Sequence, residues 1–117
     1  MELSKIVDRQ LAADVKRGFS EELRTDAERL AQLTIDTVGL VGEVGEFANL
    51  LKKVELAFRI DGYEGVSLDA ASAELREELA DAMIYIIRLS SSLGGNIEND
   101  LLKKMAKNDE RYRHLEK

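Results

Sequence analysis

The sequence predicts an all-α protein, a small four-helix-type bundle, from its composition and its apolar periodicity. The 117 residues include no proline, only 5% aromatic residues and 34% charged residues. Strands favour aromatic side chains and loops often contain proline, so this composition indicates helices with solvated faces. Apolar residues recur at helical spacing in four segments that glycine, serine or asparagine separates. The length fits one domain over residues 1–117.

The first two helices are predicted from residues that cap or stop a helix. Ser4 is expected to cap a helix over residues 5–17, which Gly18 ends. Ser20 is expected to cap a much longer helix that continues to Arg59, because apolar residues keep their helical spacing up to that point.

The third and fourth helices follow a polar loop over residues 60–68. Asp69 or Ser72 is expected to cap the third helix, and two glycines end it after residue 93. Asn96 is expected to cap the fourth helix, which reaches about residue 113. The third helix is apolar around most of its circumference, which indicates a second buried surface and therefore an oligomer.

Two pairs of carboxylates occupy matching positions on the second and third helices. Glu43 and Glu46 lie three residues apart beside one apolar stripe, and Glu78 and Asp81 repeat this spacing beside another. If the two stripes pack together, the carboxylates converge and repel one another unless cations neutralise them. The alternative is that both pairs are solvated surface residues. The residues alone leave both interpretations open.

A second feature of the same helix is a series of glycines, Gly39, Gly42 and Gly45. Each costs about 1 kcal/mol relative to alanine inside a helix. A glycine ridge lets another backbone or a bulky ligand come close to the helix. Its position among the acidic residues therefore supports a binding site there.

The ligand types indicate which metal such a site would take. All the candidates are carboxylates, and the only histidine, His114, lies outside both pairs, so a di-iron site with Glu-x-x-His motifs is not expected. Oxygen ligands suit Mg²⁺, with Mn²⁺ as a substitute. Such ions complete their shells with water and substrate phosphates. Metal-assisted hydrolysis of a phosphate ester or anhydride is the reaction class that this predicts.

The fourth helix carries a candidate phosphate clamp. Lys104, Asn108 and Tyr112 fall at four-residue intervals, and Arg111 lies beside them. Lysine and arginine neutralise phosphate charge, an amide hydrogen-bonds to phosphate or base, and tyrosine stacks or donates. The alternative is a solvated terminal helix of mixed charge, which these residues by themselves favour.

Composition also narrows the class of partner and compartment. A formal net charge of −6 argues against nucleic-acid binding through a basic surface. The absence of cysteine excludes disulfides and thiolate metal sites. No apolar run is long enough for a membrane span and the N-terminal residues do not resemble a signal peptide, so a cytoplasmic location without membrane contact is expected.

Three blocks of the sequence together resemble a known family. They are Gly42-Glu43-Val44-Gly45-Glu46-Phe47, Glu77-Glu78-Leu79-Ala80-Asp81-Ala82-Met83-Ile84-Tyr85 and Lys104-Met105-Ala106-Lys107-Asn108-Asp109-Glu110-Arg111-Tyr112. In this order they are similar to the MazG-like nucleotide pyrophosphohydrolases of the all-α NTP pyrophosphatase superfamily, which also contains dimeric dUTPases and dCTP pyrophosphatases. The resemblance covers roughly residues 31–112.

The resemblance implies roles for the candidate residues. Mg²⁺ ligands would be Glu43, Glu46, Glu78 and Asp81, and the residues that hold a nucleoside triphosphate would be Lys104, Asn108, Arg111 and Tyr112. Water activated by metal would attack the α-phosphate, giving a nucleoside monophosphate and pyrophosphate, with Glu46 helping to deprotonate the water. The implied role is cleaning of the nucleotide pool, and the implied assembly is a homodimer or homotetramer.

The sequence departs from the family pattern in two places. The segment between the acidic pairs is long, so the connecting loop is expected to be elaborated. Ala31 and Lys53 stand about where dCTP-cleaving relatives carry a histidine and a tryptophan, so the resemblance assigns no base. Two other functions remain as alternatives: a non-catalytic helical interaction module, and a homologue that senses nucleotide without hydrolysing it.

Overall fold

Helices account for most of the backbone that the structure describes. The computed structural model describes residues 2–19, 22 and 25–117. Four α-helices lie within these ranges: Leu3–Arg17 (α1), Asp26–Arg59 (α2), Leu68–Ser92 (α3) and Ile97–Tyr112 (α4). A short 3-10 turn, Arg113–Leu115, follows α4, and the described residues contain no strand. The predicted all-α class is confirmed.

The start of α2 lies further along the chain than predicted, where Thr25 is the N-cap. Thr25 Oγ1 accepts a hydrogen bond from the backbone N–H of Glu28 at 3.1 Å and donates to the Glu28 carboxylate at 3.0 Å. This side-chain exchange resembles a capping box, and it fixes the helix start at Asp26. The predicted cap, Ser20, lies outside the described residues.

Two other helix starts were also predicted wrongly, and one correctly. Helix α3 begins at Leu68 because Ser67 Oγ accepts from the Ala70 N–H at 3.2 Å, so neither Asp69 nor Ser72 is its cap. Helix α1 begins at Leu3, before the predicted Ser4. Asn96 does cap α4, accepting from the Asn99 N–H at 3.0 Å. These shifts concern the residues at which the helices begin.

Two helix ends depend on glycine. Gly18 follows α1 with φ +76°, and the N–H of Phe19 reaches back to the Asp14 carbonyl at 2.9 Å. Gly94 follows α3 with φ +72°. Both have the left-handed conformation that favours glycine, so both predicted stops are confirmed.

Helices α2 and α3 form the framework of the molecule and run antiparallel. Contacts pair residues in reverse order along the two helices: Arg29 with Ser92, Gly39 with Tyr85, and Val54 with Leu75. The apolar core lies near the loop end of this pair, where Phe47 and Leu50 pack against Val54, Ala71 and Leu75. Burying each large apolar side chain contributes about 1.5–3 kcal/mol to the stability of the folded state.

In the described residues, no helix has the apolar length that crossing a bilayer requires.

A buried ion pair attaches α1 to the framework. Arg88 on α3 donates to both carboxylate oxygens of Asp14 on α1, from Nε at 2.9 Å and from Nη2 at 2.8 Å. The Asp14 side chain is 0% exposed and that of Arg88 is 18% exposed. Gln10 adds a third hydrogen bond to Asp14 at 2.9 Å. A bidentate, desolvated pair of this kind fixes the orientation of α1 as well as its position.

Replacing Asp14 with alanine is expected to lower the free energy of unfolding by about 3 kcal/mol, because it leaves Arg88 charged and mostly buried without its partner. Urea unfolding at one fixed protein concentration measures this, with Asp8→Ala, an exposed carboxylate on the same helix, as the control. Arg88 lowers the pKa of Asp14 below its usual 3.8. The stabilisation is therefore present above pH 3.8 and is lost as the pH falls through the lowered pKa. Equal unfolding midpoints for the two variants would contradict this account.

Candidate metal centre

Three carboxylates meet where α2 packs on α3. Glu43 and Glu46 are separated by one helical turn on α2, and Glu78 projects from α3 toward both. One oxygen of each side chain lies within 4.8 Å of an oxygen of the other two. Charges this close repel strongly, so the arrangement is unfavourable unless a proton or a cation lies among them.

The inner oxygens of the cluster lack hydrogen-bond donors. Oε2 of Glu43 and Oε2 of Glu78 are both inaccessible to solvent, and neither has a hydrogen-bond partner. Buried carboxylate oxygens are almost always satisfied by donors, because leaving them bare costs free energy. Two unsatisfied oxygens that point into one acidic cluster mark a place for a positive ligand.

Proton sharing explains how the cluster is tolerated without a cation. A hydrogen bond to Glu43, burial, and the nearby Glu46 together raise the pKa of Glu78 to about 7. Glu78 can therefore keep a proton near neutral pH and donate it to Glu43. Above pH 7 the proton leaves and the repulsion returns.

The residues fit a hard divalent cation. All three side chains offer carboxylate oxygens, which Mg²⁺ and Mn²⁺ prefer, and the two bare inner oxygens need neutralisation. Protein carboxylates usually supply only part of a Mg²⁺ shell, and the remaining positions go to water and phosphate oxygens. Glu46 is the most exposed of the three and lies on the side that solvent reaches.

Asp81, the fourth predicted ligand, lies beside the cluster and is not part of it. It is half-buried one turn after Glu78, and it is absent from the group of mutually close oxygens. Residues on a helix advance by about 100° each, so Asp81 projects about 60° away from Glu78. Its role as a ligand stays a prediction.

The predicted phosphate clamp lies on a different part of the molecule. Helix α4 contacts α1 and α3, and in the described residues it does not contact α2. Lys104 and Arg111 are exposed, Asn108 is half-buried, and the Arg111 guanidinium stacks over the Tyr112 ring at 5.1 Å. The block therefore lies on a helix that, in the described part of the chain, contacts α3 and not α2, which carries Glu43 and Glu46, and its role stays a prediction.

The predicted glycine ridge has two different parts. An added Cβ at Gly39 would overlap the ring of Tyr85, whereas nothing lies within 4 Å of one at Gly42 or Gly45. Only Gly39 therefore permits a close approach within a single copy of the chain.

Several polar residues near the cluster were not predicted from the sequence to lie there. Asp36 is 2% exposed and lies two turns before Glu43 on the same face of α2, near enough to raise the pKa of Arg88. Tyr85 and Arg88 continue the face of α3 that carries Glu78 and Asp81. A charged residue inside an apolar run is the signal that could have found Asp36 and Arg88, because such a residue needs a partner when buried.

Comparison with known proteins places the chain among distant homologues of one enzyme. It is 32% identical to human dCTP pyrophosphatase 1 and 30% identical to the Rattus norvegicus protein of that name, each over 102 residues. Each match covers 85% of this chain and 57% of the relative. The homology and the all-helical fold fit the MazG-like superfamily.

A further relative is the Gene 37 protein of Mycobacterium phage L5, 35% identical over 68 residues, which are 58% of this chain and 55% of that protein. The chain thus spans little more than half the length of the curated relatives it matches. No protein-family model and no solved structure matches it significantly.

The cluster is expected to bind Mn²⁺ more tightly as the pH rises through about 7, because the Glu78 proton must leave before its oxygen can act as a ligand. Below that pH, affinity should fall up to about tenfold per pH unit. Titration calorimetry from pH 6 to pH 8 measures this.

The folding stability of the metal-free protein has the opposite pH dependence. The raised pKa of Glu78 favours the folded state below pH 4.5, and this contribution to stability is lost as the pH rises toward 7.

The matched variants are Glu78→Gln and Glu77→Gln, which remove the same charge from neighbouring residues. Glu77 is exposed and outside the cluster. Only Glu78→Gln should weaken Mn²⁺ binding and remove its pH dependence. Equal affinities in the two variants would rule out this cluster as the metal site.

Proposed function

We propose that the protein is a Mg²⁺-dependent nucleoside triphosphate pyrophosphohydrolase that acts on the cytoplasmic nucleotide pool and releases a nucleoside monophosphate and pyrophosphate. The observation that carries the proposal is the convergence of Glu43, Glu46 and Glu78 around unsatisfied inner oxygens. The distant homology to dCTP pyrophosphatase 1 supports the reaction class. Mn²⁺ is expected to substitute for Mg²⁺ because it accepts the same oxygen ligands.

In the proposed reaction, the buried carboxylates and the exposed carboxylate have different roles. Glu43 and Glu78, whose inner oxygens are buried, would hold the cation, with Asp81 beside them. Bound Mg²⁺ makes water more acidic and neutralises charge on phosphate oxygens. Glu46 faces solvent, where it would accept a proton from the attacking water. The water oxygen bonds to the α-phosphorus, the bond to the bridging oxygen breaks, and pyrophosphate leaves.

The proposed triphosphate ligands lie on α4, namely Lys104, Asn108, Arg111 and Tyr112. In the described residues α4 contacts α3, which carries Glu78, and does not contact α2, which carries Glu43 and Glu46. The proposal therefore requires that α4, from the same copy or from a second one, reaches a bound triphosphate. Their positive charge would offset an acidic protein surface that otherwise repels the substrate.

The base of the substrate is left unassigned in this proposal. Ala31 and Lys53 occupy the positions at which a histidine and a tryptophan were expected for dCTP cleavage, and both are exposed. Neither side chain can supply the aromatic stacking that those residues offer. The proposed substrate class is therefore nucleoside triphosphates in general.

We also propose that the protein assembles as a homodimer or homotetramer through an apolar flank of the α2–α3 pair. Val44 and Leu79 are 54% and 53% exposed. Each lies two residues from a carboxylate, Glu46 or Asp81, so each projects on the opposite side of its helix. The radius of gyration is 18.4 Å, whereas a compact domain of this length has about 13 Å. A second copy packed on the apolar flank would make the core compact and leave the acidic flank open.

A different candidate function is a non-catalytic helical interaction module, and one observation favours it. An apolar groove of about 1020 Å³ lies between the C-terminal half of α2 and the loop that follows, lined among others by Leu51, Phe58, Tyr63 and Val66. Phe58 is 90% exposed there. An interaction module would have no use for three converging carboxylates, so divalent-metal binding separates the two functions. A nucleotide-sensing homologue would bind metal and nucleotide without turnover.

Incubation of the protein with a panel of nucleoside triphosphates and Mg²⁺ is expected to release pyrophosphate, detected by an enzyme-coupled assay. Glu43→Gln should lower kcat/KM at least about a hundredfold, because a metal ion contributes several kcal/mol to the transition state. Glu55→Gln, an exposed carboxylate on the same helix, is the control and should retain activity. Release of orthophosphate alone, or no turnover with any nucleotide, would disprove the proposed activity.

Leu79→Asp is expected to reduce the oligomer to a monomer, because it places a charge on the proposed apolar interface. Sedimentation equilibrium measures the assembly directly. Ala73→Asp introduces the same charge at an exposed site on the side of α3 that faces away from α2, and it should leave the assembly intact. The interface would be misplaced if both variants kept the mass of the parent protein, and a monomeric parent protein would refute the assembly itself.

A further inference from the structure

The space beside Gly39 is occupied by an aromatic ring from the opposite helix. A Cβ built on Gly39 would overlap Cε1 and Cζ of Tyr85 and would lie 2.8 Å from the Tyr85 hydroxyl oxygen. No residue with a side chain could replace Gly39 without moving either the ring or the helix. The backbone of α2 at Gly39 therefore rests directly on the Tyr85 ring.

The Tyr85 ring is held from another direction, so it cannot move away freely. The Arg88 guanidinium lies over the ring at 5.2 Å from its centre. Arg88 is itself fixed by two hydrogen bonds to the fully buried Asp14. The same guanidinium also lies over the Phe19 ring, at 5.8 Å from its centre. Gly39, Tyr85 and Arg88 thus form a stack that ends on a rigid ion pair.

This stack lies next to the carboxylate cluster. Glu43 follows Gly39 by one helical turn, and Glu78 precedes Tyr85 by two turns on the same face of α3. On the other side of the cluster, Phe47 and Leu50 pack against the apolar core. The carboxylates therefore lie between two neutral contacts that hold α2 and α3 together against the repulsion of their charges.

We propose that Gly39 and Tyr85 form a spacer that sets the distance between α2 and α3 at the carboxylate cluster, which makes both of them positioning residues of the metal site. The inference rests on the proposed function in so far as the cluster must bind a divalent cation. Coordination by carboxylates from two helices tolerates little variation in helix separation, because Mg²⁺ and Mn²⁺ demand short and regular ligand distances. An alanine at position 39 pushes the helices apart at that point and misplaces Glu43 relative to Glu78.

The test is the affinity of metal-free protein for Mn²⁺, measured by titration calorimetry well below the melting temperature of each variant. Gly39→Ala should weaken binding by about tenfold or more, the range seen when groups that orient metal ligands are removed. Gly42→Ala is the matched control: it makes the same change one turn away in the same helix, where nothing lies within 4 Å. It should bind like the parent protein and melt at a higher temperature, because alanine favours the helix.

A second pair of variants separates the ring from its hydroxyl. Tyr85→Phe keeps Cε1 and Cζ, the ring atoms that an added Cβ would overlap, and should retain affinity, whereas Tyr85→Ala removes the spacer and should lose it. In the Tyr85→Ala background, Gly39→Ala should have no further effect, since no ring remains for the added methyl group to meet. These two variants decide the matter even if Gly39→Ala alone fails to fold.

The outcomes separate the spacer from the metal site itself. If the parent protein binds no Mn²⁺, the proposed function fails. If the parent protein binds Mn²⁺ and Gly39→Ala binds it within about twofold of Gly42→Ala, the spacer is refuted and the metal site stands. Equal affinities of the Tyr85→Ala and Tyr85→Phe variants would also refute the spacer.

Discussion

Where α2 packs against α3, three carboxylates lie close together. The stability of the helix pair depends on how the repulsion between them is offset. Glu78 approaches Glu43 and Glu46 closely enough that repulsion opposes the helix pair at this level. Apolar packing near Val54 and the contact of Gly39 with the Tyr85 ring hold the two helices on either side of the cluster. A proton shared with Glu78 relieves part of the repulsion at neutral pH, and a divalent cation would relieve more of it. A fold that gathers carboxylates in this way is less stable without its cation and gains stability when the cation binds.

The two flanks of the helix pair have different characters. On α2, Val44 and Glu46 project to opposite sides, and on α3 the same alternation separates Leu79 from Asp81. One flank is therefore apolar and suited to a second copy of the chain, and the other is acidic and suited to cations. This division explains how one pair of helices could serve both assembly and chemistry. It also explains why a chain with a net charge of −6 could act on an anionic nucleotide, because cations on the acidic flank would reverse the local charge.

Local sequence patterns predicted much of this arrangement. The matching spacing of Glu43 with Glu46 and of Glu78 with Asp81 predicted that the carboxylates converge if the two helices pack together, because helical geometry fixes which residues share a face. Helix ends were harder to predict. Several residues near each start can act as caps, and the choice of Thr25 and Ser67 depends on hydrogen bonds that form only in the folded chain.

Long-range contacts lay beyond what a single sequence can predict. Asp14 and Arg88 are separated by 74 residues, and nothing in either local pattern pairs them. The position of α4 is a similar case. Its residues indicate a phosphate clamp, but whether that clamp meets the carboxylates depends on how α4 packs, and one copy of the chain keeps it away from α2. Asp81 repeats on α3 the spacing that Glu46 has on α2, yet only Glu46 joins the cluster, so helical spacing alone does not decide which residue converges.

We propose above that Glu43, Glu46 and Glu78 bind a divalent cation between α2 and α3. Anomalous diffraction from crystals soaked in Mn²⁺ locates such an ion without reference to activity. We expect an anomalous peak about 2.1 Å from carboxylate oxygens of Glu43 and Glu78, with Glu46 beside it. A structure whose Mn²⁺ lies elsewhere, or whose cluster holds no ion at saturating Mn²⁺, would contradict it.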